Sequence, residues 1–328
     1  MRARLPHFDW PRDKVDAVDR TAFWKSADAA AGRVSDSRQL AQLAPASDQT
    51  EVATDPDQLV ARALGILAEH GPKSGDTQPN WSAKPSAVDQ RTALDLMLQR
   101  PILSDGTECP LPIRYFDVQC LVATFLTGLD RAVELLKGTG LQAVPQEDGK
   151  GVVLLYCIEY RITDIGPYNE VGLTVLARAP GDPIPAIYVV NLPVTTERAS
   201  RAGREIWGYN KFVAAIEVES DGKNFSTILD DLDGGTISTI EGRRGASIPA
   251  PPSDIVTFTL LNGKIIKTIV RVLTPSLAGS GDGFVFKVGA SGHPMTNNLR
   301  ILGLDGARPV LVQYTDPWQA LLFPGRAL

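Results

Sequence analysis

Several residue types are scarce in this chain, and each scarcity closes off a kind of chemistry. The three cysteines, Cys109, Cys120 and Cys157, form no CxxC pair. Cys120 and Cys157 sit in apolar, strand-like runs, so buried free thiols are expected. The three histidines, His7, His70 and His293, are not at ligand spacing, which argues against a zinc site built by the protein. A net charge of −5, with no block of like charge, leaves no basic face for nucleic acid and no patch for a membrane surface. The longest apolar run, 152–158, is far short of the ~20 residues that a membrane span needs. The start, Met1-Arg2-Ala3-Arg4-Leu5-Pro6-His7, is basic with no apolar stretch behind it, so a signal-peptide core is lacking. A soluble, cytoplasmic protein without a nucleic-acid or membrane partner is the expectation.

Familiar site motifs are missing as well. Gly279-Ser280-Gly281-Asp282-Gly283 has the glycines of a phosphate loop but no Gly-Lys-Ser/Thr ending and no following helix pattern, so it reads as a turn. Asp231-Leu232-Asp233-Gly234 fails as a calcium loop. With Gly234 at the sixth position, the first and twelfth fall on Leu229 and Ile240, which cannot chelate. A hairpin turn fits it better. No Gly-x-Ser-x-Gly elbow supports a serine hydrolase.

What is present suits a sizeable core. The chain has 328 residues, 43% of them hydrophobic, which fits one large domain with an extension. Its character changes near residue 110. Before that, apolar residues recur at helical spacing over 59–67, started by Asp55-Pro56 and stopped by Gly71-Pro72, and a second helix is predicted over 86–98. Residues 1–110 therefore read as a helical N-terminal extension, and 111–328 as a mainly β domain.

Strands are predicted over 116–126, 152–162, 168–177, 186–192, 211–218, 224–229, 236–241, 284–288, 309–314 and 318–323. The clearest local signal is Asn262-Gly263 between 255–261 and 264–272, which predicts a two-residue hairpin with a type I′ turn. Helices are few, at 129–137, 196–204 and 296–302. So many strands without a βαβ rhythm would leave bare edges unless the sheet closes or doubles over. The expected fold is mainly β (α+β): a closed antiparallel β-barrel or cone, or a double sheet, with a few peripheral helices.

One lysine stands apart. A lysine is ordinarily a solvated surface charge. In a strand over 211–218, Lys211 would share a face with Val213, Ala215, Glu217 and Glu219, which could simply be wet. Yet Trp207, Gly208, Tyr209 and Phe212 flank it. An amine held among such rings is desolvated, which disfavours its charged form. A free amine near neutral pH is what nucleophilic attack on a ketone requires.

These residues also carry a family resemblance. Gly203-Arg204-Glu205, three further residues, then Tyr209-Asn210-Lys211 resembles the Gly-Arg-Glu…Tyr-Pro-Lys pattern of the acetoacetate decarboxylase family, with Asn210 in place of the proline. The resemblance extends over roughly 113–323, including Gly292-His293-Pro294 and Leu302-Gly303-Leu304. It implies a cone-like β-barrel with the lysine inside, Lys211 as the Schiff-base lysine and Glu170 as the active-site glutamate. Along its strand Glu170 points opposite to Val171, Leu173 and Val175, toward either the lumen or solvent. By the same resemblance Trp207, Tyr209 and Phe212 line the substrate site. Arg204 either binds a substrate carboxylate or makes a structural ion pair with Glu205 or another acid.

Departures from the pattern bear on the reaction. Phe212 stands where the decarboxylase has a second lysine, and the positions of its arginine and a further acidic residue fall near Leu126 and Leu155. The implied activity is thus a Schiff-base lyase acting on a small keto or keto-acid substrate, by decarboxylation or by aldol or dehydration chemistry. The imine stands in for a cofactor, so none is expected, and the chain is expected to form a homo-oligomer. The alternative is a non-catalytic small-molecule-binding barrel of the same fold.

Overall fold

The computed structural model describes residues 100–328. The helices expected at 59–67 and 86–98 lie outside the described residues. Residues 100–110 fold back through an antiparallel bridge between Ile102 and Glu108 and bury Leu103 and Cys109 against the β-domain.

Strand β1 (Ile113–Gly128) leads into helix α1 (Leu129–Leu136). Then come β2 (Gln142–Ala143), β3 (Lys150–Thr163), β4 (Tyr168–Arg178) and β5 (Ala186–Asn191). Helix α2 (Glu197–Ala202) runs directly into a π-helical turn over Gly203–Trp207. Strands β6 (Ala215–Ser220), β7 (Asn224–Asp230), β8 (Thr236–Arg243) and β9 (Ser247–Ala250) follow. After the hairpin of β10 (Ile255–Leu261) and β11 (Lys264–Val272) come β12 (Ser276–Gly279), β13 (Phe284–Val288) and helix α3 (Pro294–Ile301). Strands β14 (Leu311–Thr315), β15 (Ala320–Leu322) and β16 (Arg326–Ala327) complete the described elements.

The larger sheet runs β15-β11-β10-β5-β4-β3-β1-β14-β12-β9, and β15 also pairs with β1, so its first part bends into a ring. The arrangement is ring-like rather than a fully closed barrel. It is joined at one place by the three-residue β15. At another, β5 and β10 meet at Thr257↔Ile187 and Phe258↔Tyr188. That pairing is parallel, against the expectation of a purely antiparallel closure. Strands β6, β7 and β8 of the second sheet lie in the chain between β5 and β10, and so long a connection is what a parallel pairing needs. The second sheet is four-stranded, in the order β13-β8-β7-β6.

Alternation along the ring strands divides the core in two. Leu121, Ala123 and Phe125 of β1, Leu155 and Cys157 of β3, and Val171, Leu173 and Val175 of β4 face outward from the ring. They meet Phe225, Leu229, Ile237, Ile240, Phe284 and Phe286 of the second sheet, with α1 and α3 closing the ends. Phe125 and Phe286 pack edge-on at 5.8 Å, a geometry worth ~0.5–1.5 kcal/mol beyond the area buried. The opposite set, with Cys120, Ile158, Tyr160, Tyr168, Val189, Val272, Ala320 and Leu322, converges inside the ring. All three cysteines are buried and free, as expected.

The Asn262-Gly263 hairpin forms as predicted. Both residues take positive φ, 52° and 74°, which gives the strands the twist that a type I′ turn matches. The strand expected over 211–218 starts later, at Ala215. The backbone before it is engaged elsewhere. Leu192 N–H donates to the Asn210 carbonyl at 2.9 Å, Val194 N–H to that of Phe212 at 2.9 Å, and Ala214 N–H to that of Val194 at 3.0 Å. Lys211 therefore lies on an irregular segment beside the β5–α2 connection, and the strand-face argument does not apply to it.

Candidate functional site

The segment that carries Lys211 is shaped by α2 and the turn after it. Thr196 caps α2, its hydroxyl accepting from Ala199 N–H at 3.3 Å. The helix widens into the π turn and stops at Gly208, whose left-handed φ of 69° reverses the chain. A Cβ at Gly208 would also run into the Leu260 carbonyl of β10, so glycine is required there for two reasons. Trp207, 1% exposed, donates its indole N–H to the Phe323 carbonyl at 2.8 Å. Its own carbonyl accepts from the Thr259 hydroxyl. Tyr209 places its hydroxyl 3.0 Å from that of Thr257. Asn210, at the place of the family's proline, ties the segment to β5 by donating its side-chain amide to the Val190 carbonyl at 2.8 Å.

These anchors aim Lys211 into the ring. Its stem lies directly on Gly203, where an added Cβ would stand 2.5 Å from the lysine Cδ and 2.6 Å from Cε. Its Nζ meets Glu170 Oε2 at 2.5 Å, with both side chains 7% exposed. Glu170 enters from β4, paired across to Ile158 of β3, which is itself paired to Cys120 of β1. Of the two directions open to it, Glu170 takes the ring interior. Its other oxygen, Oε1, accepts from the Tyr160 hydroxyl at 3.2 Å.

Aromatic rings enclose this pair. Tyr160 stacks on Tyr168 at 4.3 Å and lies 4.9 Å from Tyr115, which Trp318 covers at 5.9 Å. The ammonium position is 5.5 Å from the Tyr168 ring and 6.0 Å from that of Tyr209, within the range of cation–π attraction. Burial pushes the phenols of Tyr115, Tyr160 and Tyr168 well above their ordinary range, and the Glu170 carboxylate raises them further. Burial raises Tyr209 too. All four therefore stay protonated near neutral pH.

The sequence-derived site set divides in space. Lys211, Glu170, Trp207 and Tyr209 come together inside the ring. Phe212 turns away, stacking on His293 at 4.1 Å and packing against the core between the sheets. Arg204 is exposed, and Glu205 hydrogen-bonds Ser104 instead, through its backbone N–H at 2.8 Å and its hydroxyl at 2.5 Å. Neither Phe212 nor Arg204 lines the ring interior. Leu155 belongs to the core between the sheets, and Leu126 is 37% exposed near the end of β1. The residues that sequence reasoning missed are Tyr115, Tyr160, Tyr168, Trp318 and Gly203. Tyr168 was within reach, because it lies two places before Glu170 and so shares its face. Among the described residues no group of His, Cys, Asp and Glu could hold a metal ion.

A ring-like β-domain with a buried lysine and glutamate in contact defines the class of protein, and comparison with known families bears on which one. The acetoacetate decarboxylase family model matches residues 100–277, and the chain belongs to that family. Solved structures share the fold at low sequence identity. An acetoacetate decarboxylase from Legionella pneumophila subsp. pneumophila str. Philadelphia 1 is 15% identical, with a TM-score of 0.52 over 66% of this chain and 87% of that one. The enduracididine biosynthesis enzyme MppR, complexed with pyruvate, is 13% identical, with a TM-score of 0.52 over 68% of this chain and 94% of that one. An acetoacetate decarboxylase-like enzyme from Sphingomonas wittichii RW1 is 15% identical, with a TM-score of 0.50 over 65% and 91%. No curated protein matches the chain. Among the described residues no helix is long and apolar enough to cross a membrane.

Proposed function

We propose that this protein is an imine-forming lyase acting on a small carbonyl compound, a ketone or keto acid, with Lys211 as nucleophile and Glu170 as the proton-transfer group. One observation supports the reading most: the Lys211 amine lies 2.5 Å from the Glu170 carboxylate, both buried among phenols. A buried ion pair is a poor device for stability alone, because desolvating both charges offsets their attraction. Function is a better reason to keep one.

In the proposed sequence Glu170 takes a proton from the Lys211 ammonium, and the freed amine adds to the carbonyl carbon. The carbonyl oxygen leaves as water, taking one proton from the amine nitrogen and one back from Glu170. For C–C cleavage the protonated imine draws the electrons of the bond at its α-carbon as that bond breaks, leaving an enamine; for C–O cleavage loss of an α-proton gives the enamine, which expels the β-oxygen group with its bonding electrons. Protonation of the enamine carbon and hydrolysis of the imine release product and regenerate the amine. The Tyr160 hydroxyl holds Glu170 Oε1, so that Oε2 stays directed at Nζ through the cycle. Membership of a family named for a decarboxylase agrees with this chemistry.

The test is borohydride reduction in the presence of a panel of ketones, aldehydes and keto acids, followed by peptide mass mapping. A reduced adduct on the Lys211 peptide is expected with at least one compound. Absence of any adduct, where a control imine-forming enzyme reacts, would refute the reading.

A further inference from the structure

The charges inside the ring bear on which carbonyl compounds can reach the lysine. Among the described residues, Glu170 and Lys211 are the only charged residues that are buried. They neutralise one another at 2.5 Å. Every other described position around Glu170 on the inner face is uncharged. Across the strands lie Ile158 and then Cys120, and along β4 lie Tyr168 and Gly172. From the far side of the ring, Tyr209 and Thr257 contribute hydroxyls, and Val189, Val272, Ala320 and Leu322 contribute apolar walls.

Several other described cations are paired elsewhere or exposed. Arg114 pairs with Asp164, Lys267 with Asp182 and Arg271 with Asp254, while Arg204 is exposed. A keto acid entering this space would bring a carboxylate beside the Glu170 carboxylate, with one lysine between them. Once that lysine becomes the imine nitrogen, the substrate's negative charge has no partner of its own. Burying an uncompensated charge is strongly unfavourable, whereas an uncharged carbonyl adds none.

From this charge distribution we infer that the site takes an uncharged, predominantly apolar ketone or aldehyde and discriminates against substrates bearing a carboxylate. The inference rests on the imine reading and narrows it. Four phenols, kept protonated by burial, surround the site with uncharged hydroxyls and with ring faces for an apolar substituent, the Tyr160 proton being given to Glu170. None of them supplies a positive charge.

The experiment compares matched pairs on the full chain: butanone against 4-oxopentanoate, and acetone against pyruvate and acetoacetate. Each rate of borohydride trapping at Lys211 is divided by the rate for butylamine with the same compound, which removes intrinsic reactivity. The amine's two hydrogens and the carbonyl oxygen leave as water, and borohydride delivers hydride to the imine carbon. Every adduct is therefore a stable secondary amine; acetoacetate gives its own adduct mass or, after loss of CO2, that of the acetone adduct, and both are counted for acetoacetate. The neutral member of each pair is expected to trap faster by about tenfold or more, the size of effect that a single unpaired buried charge produces. Equal or faster trapping of the keto acids would overturn the inference and leave the imine chemistry standing. Trapping of neither kind would overturn both.

Discussion

Glu170 on β4 and Lys211 on the segment after the π turn are 41 residues apart in the chain and 2.5 Å apart in space. Each is the other's charge partner, and among the described residues no other charged side chain is buried. Glu170→Ala should therefore destabilise the fold by ~3–5 kcal/mol, the usual penalty for orphaning a buried charge. The double variant Glu170→Ala with Lys211→Met should recover most of that loss, and Lys211→Met alone completes the cycle. Urea unfolding of the single and double variants measures the coupling, and simple additivity would show that the pair is not energetically linked.

Gly203→Ala places a methyl group 2.5 Å from the Lys211 Cδ, so the lysine stem must move. Because the amine then no longer faces Glu170 squarely, borohydride trapping at Lys211 should slow by roughly tenfold or more. Circular dichroism should stay native. A variant that traps at the normal rate would mean that the stem has room to shift.

Tyr160→Phe removes the donor to Glu170 Oε1 without changing the ring stack on Tyr168. Loss of a hydrogen bond to a charged group should lower stability by ~1–3 kcal/mol. It should also change the pH profile of trapping, which a purely structural role would leave alone.

The cysteines should be inert in the native state. Burial pushes the Cys109 thiol up to about 11 and that of Cys157 up to about 12, and it raises Cys120 as well. Few thiolates exist at pH 7.5, and access is blocked. Iodoacetamide should leave all three unmodified in native protein and label all three in guanidinium, as read by intact mass.

Asp221 links the β6–β7 turn to pH. Hydrogen bonds from the backbone of Asn224 and Lys223, then from the Asn224 side chain, hold its carboxyl down at about 2. A depressed carboxyl stabilises the fold above its unfolded value of ~3.9 and loses that contribution as pH falls toward the folded value. Wild type should therefore exceed Asp221→Asn in urea midpoint at pH 6, and the gap should shrink as pH approaches about 2. A gap independent of pH would remove the ionised carboxylate from the account.

Side-chain pattern made much of this molecule readable before its structure. The Asn262-Gly263 hairpin, the turns at 231–234 and 280–283, and the alternation that sets Glu170 against Val171 and Leu173 are local matters, fixed by φ preferences and a period of two. Lys211 was singled out by its ring-rich neighbours and by the motif around it. Where the sequence reading went astray, a nonlocal contact had intervened. Residues 211–214 look like the start of a strand, but their backbone bonds to 192–194. Phe212 and Arg204 are motif neighbours of Lys211, yet the chain reversal at Gly208 and the irregular segment after it send the three side chains in different directions.

Composition, alternation and turn chemistry were thus enough to indicate a mainly β domain, while Lys211 was nominated by its ring-rich neighbours and the family motif, and Glu170 by the family resemblance. That those two touch was decided by the register of β3, β4 and β1 and by the close approach of Gly208 to β10. So was the company they keep, since Tyr160 reaches Glu170 only through its pairing with Tyr168. Register and ring closure depend on contacts between residues far apart in the chain. A pattern with a period of two says which face a residue takes, but not what lies across from it.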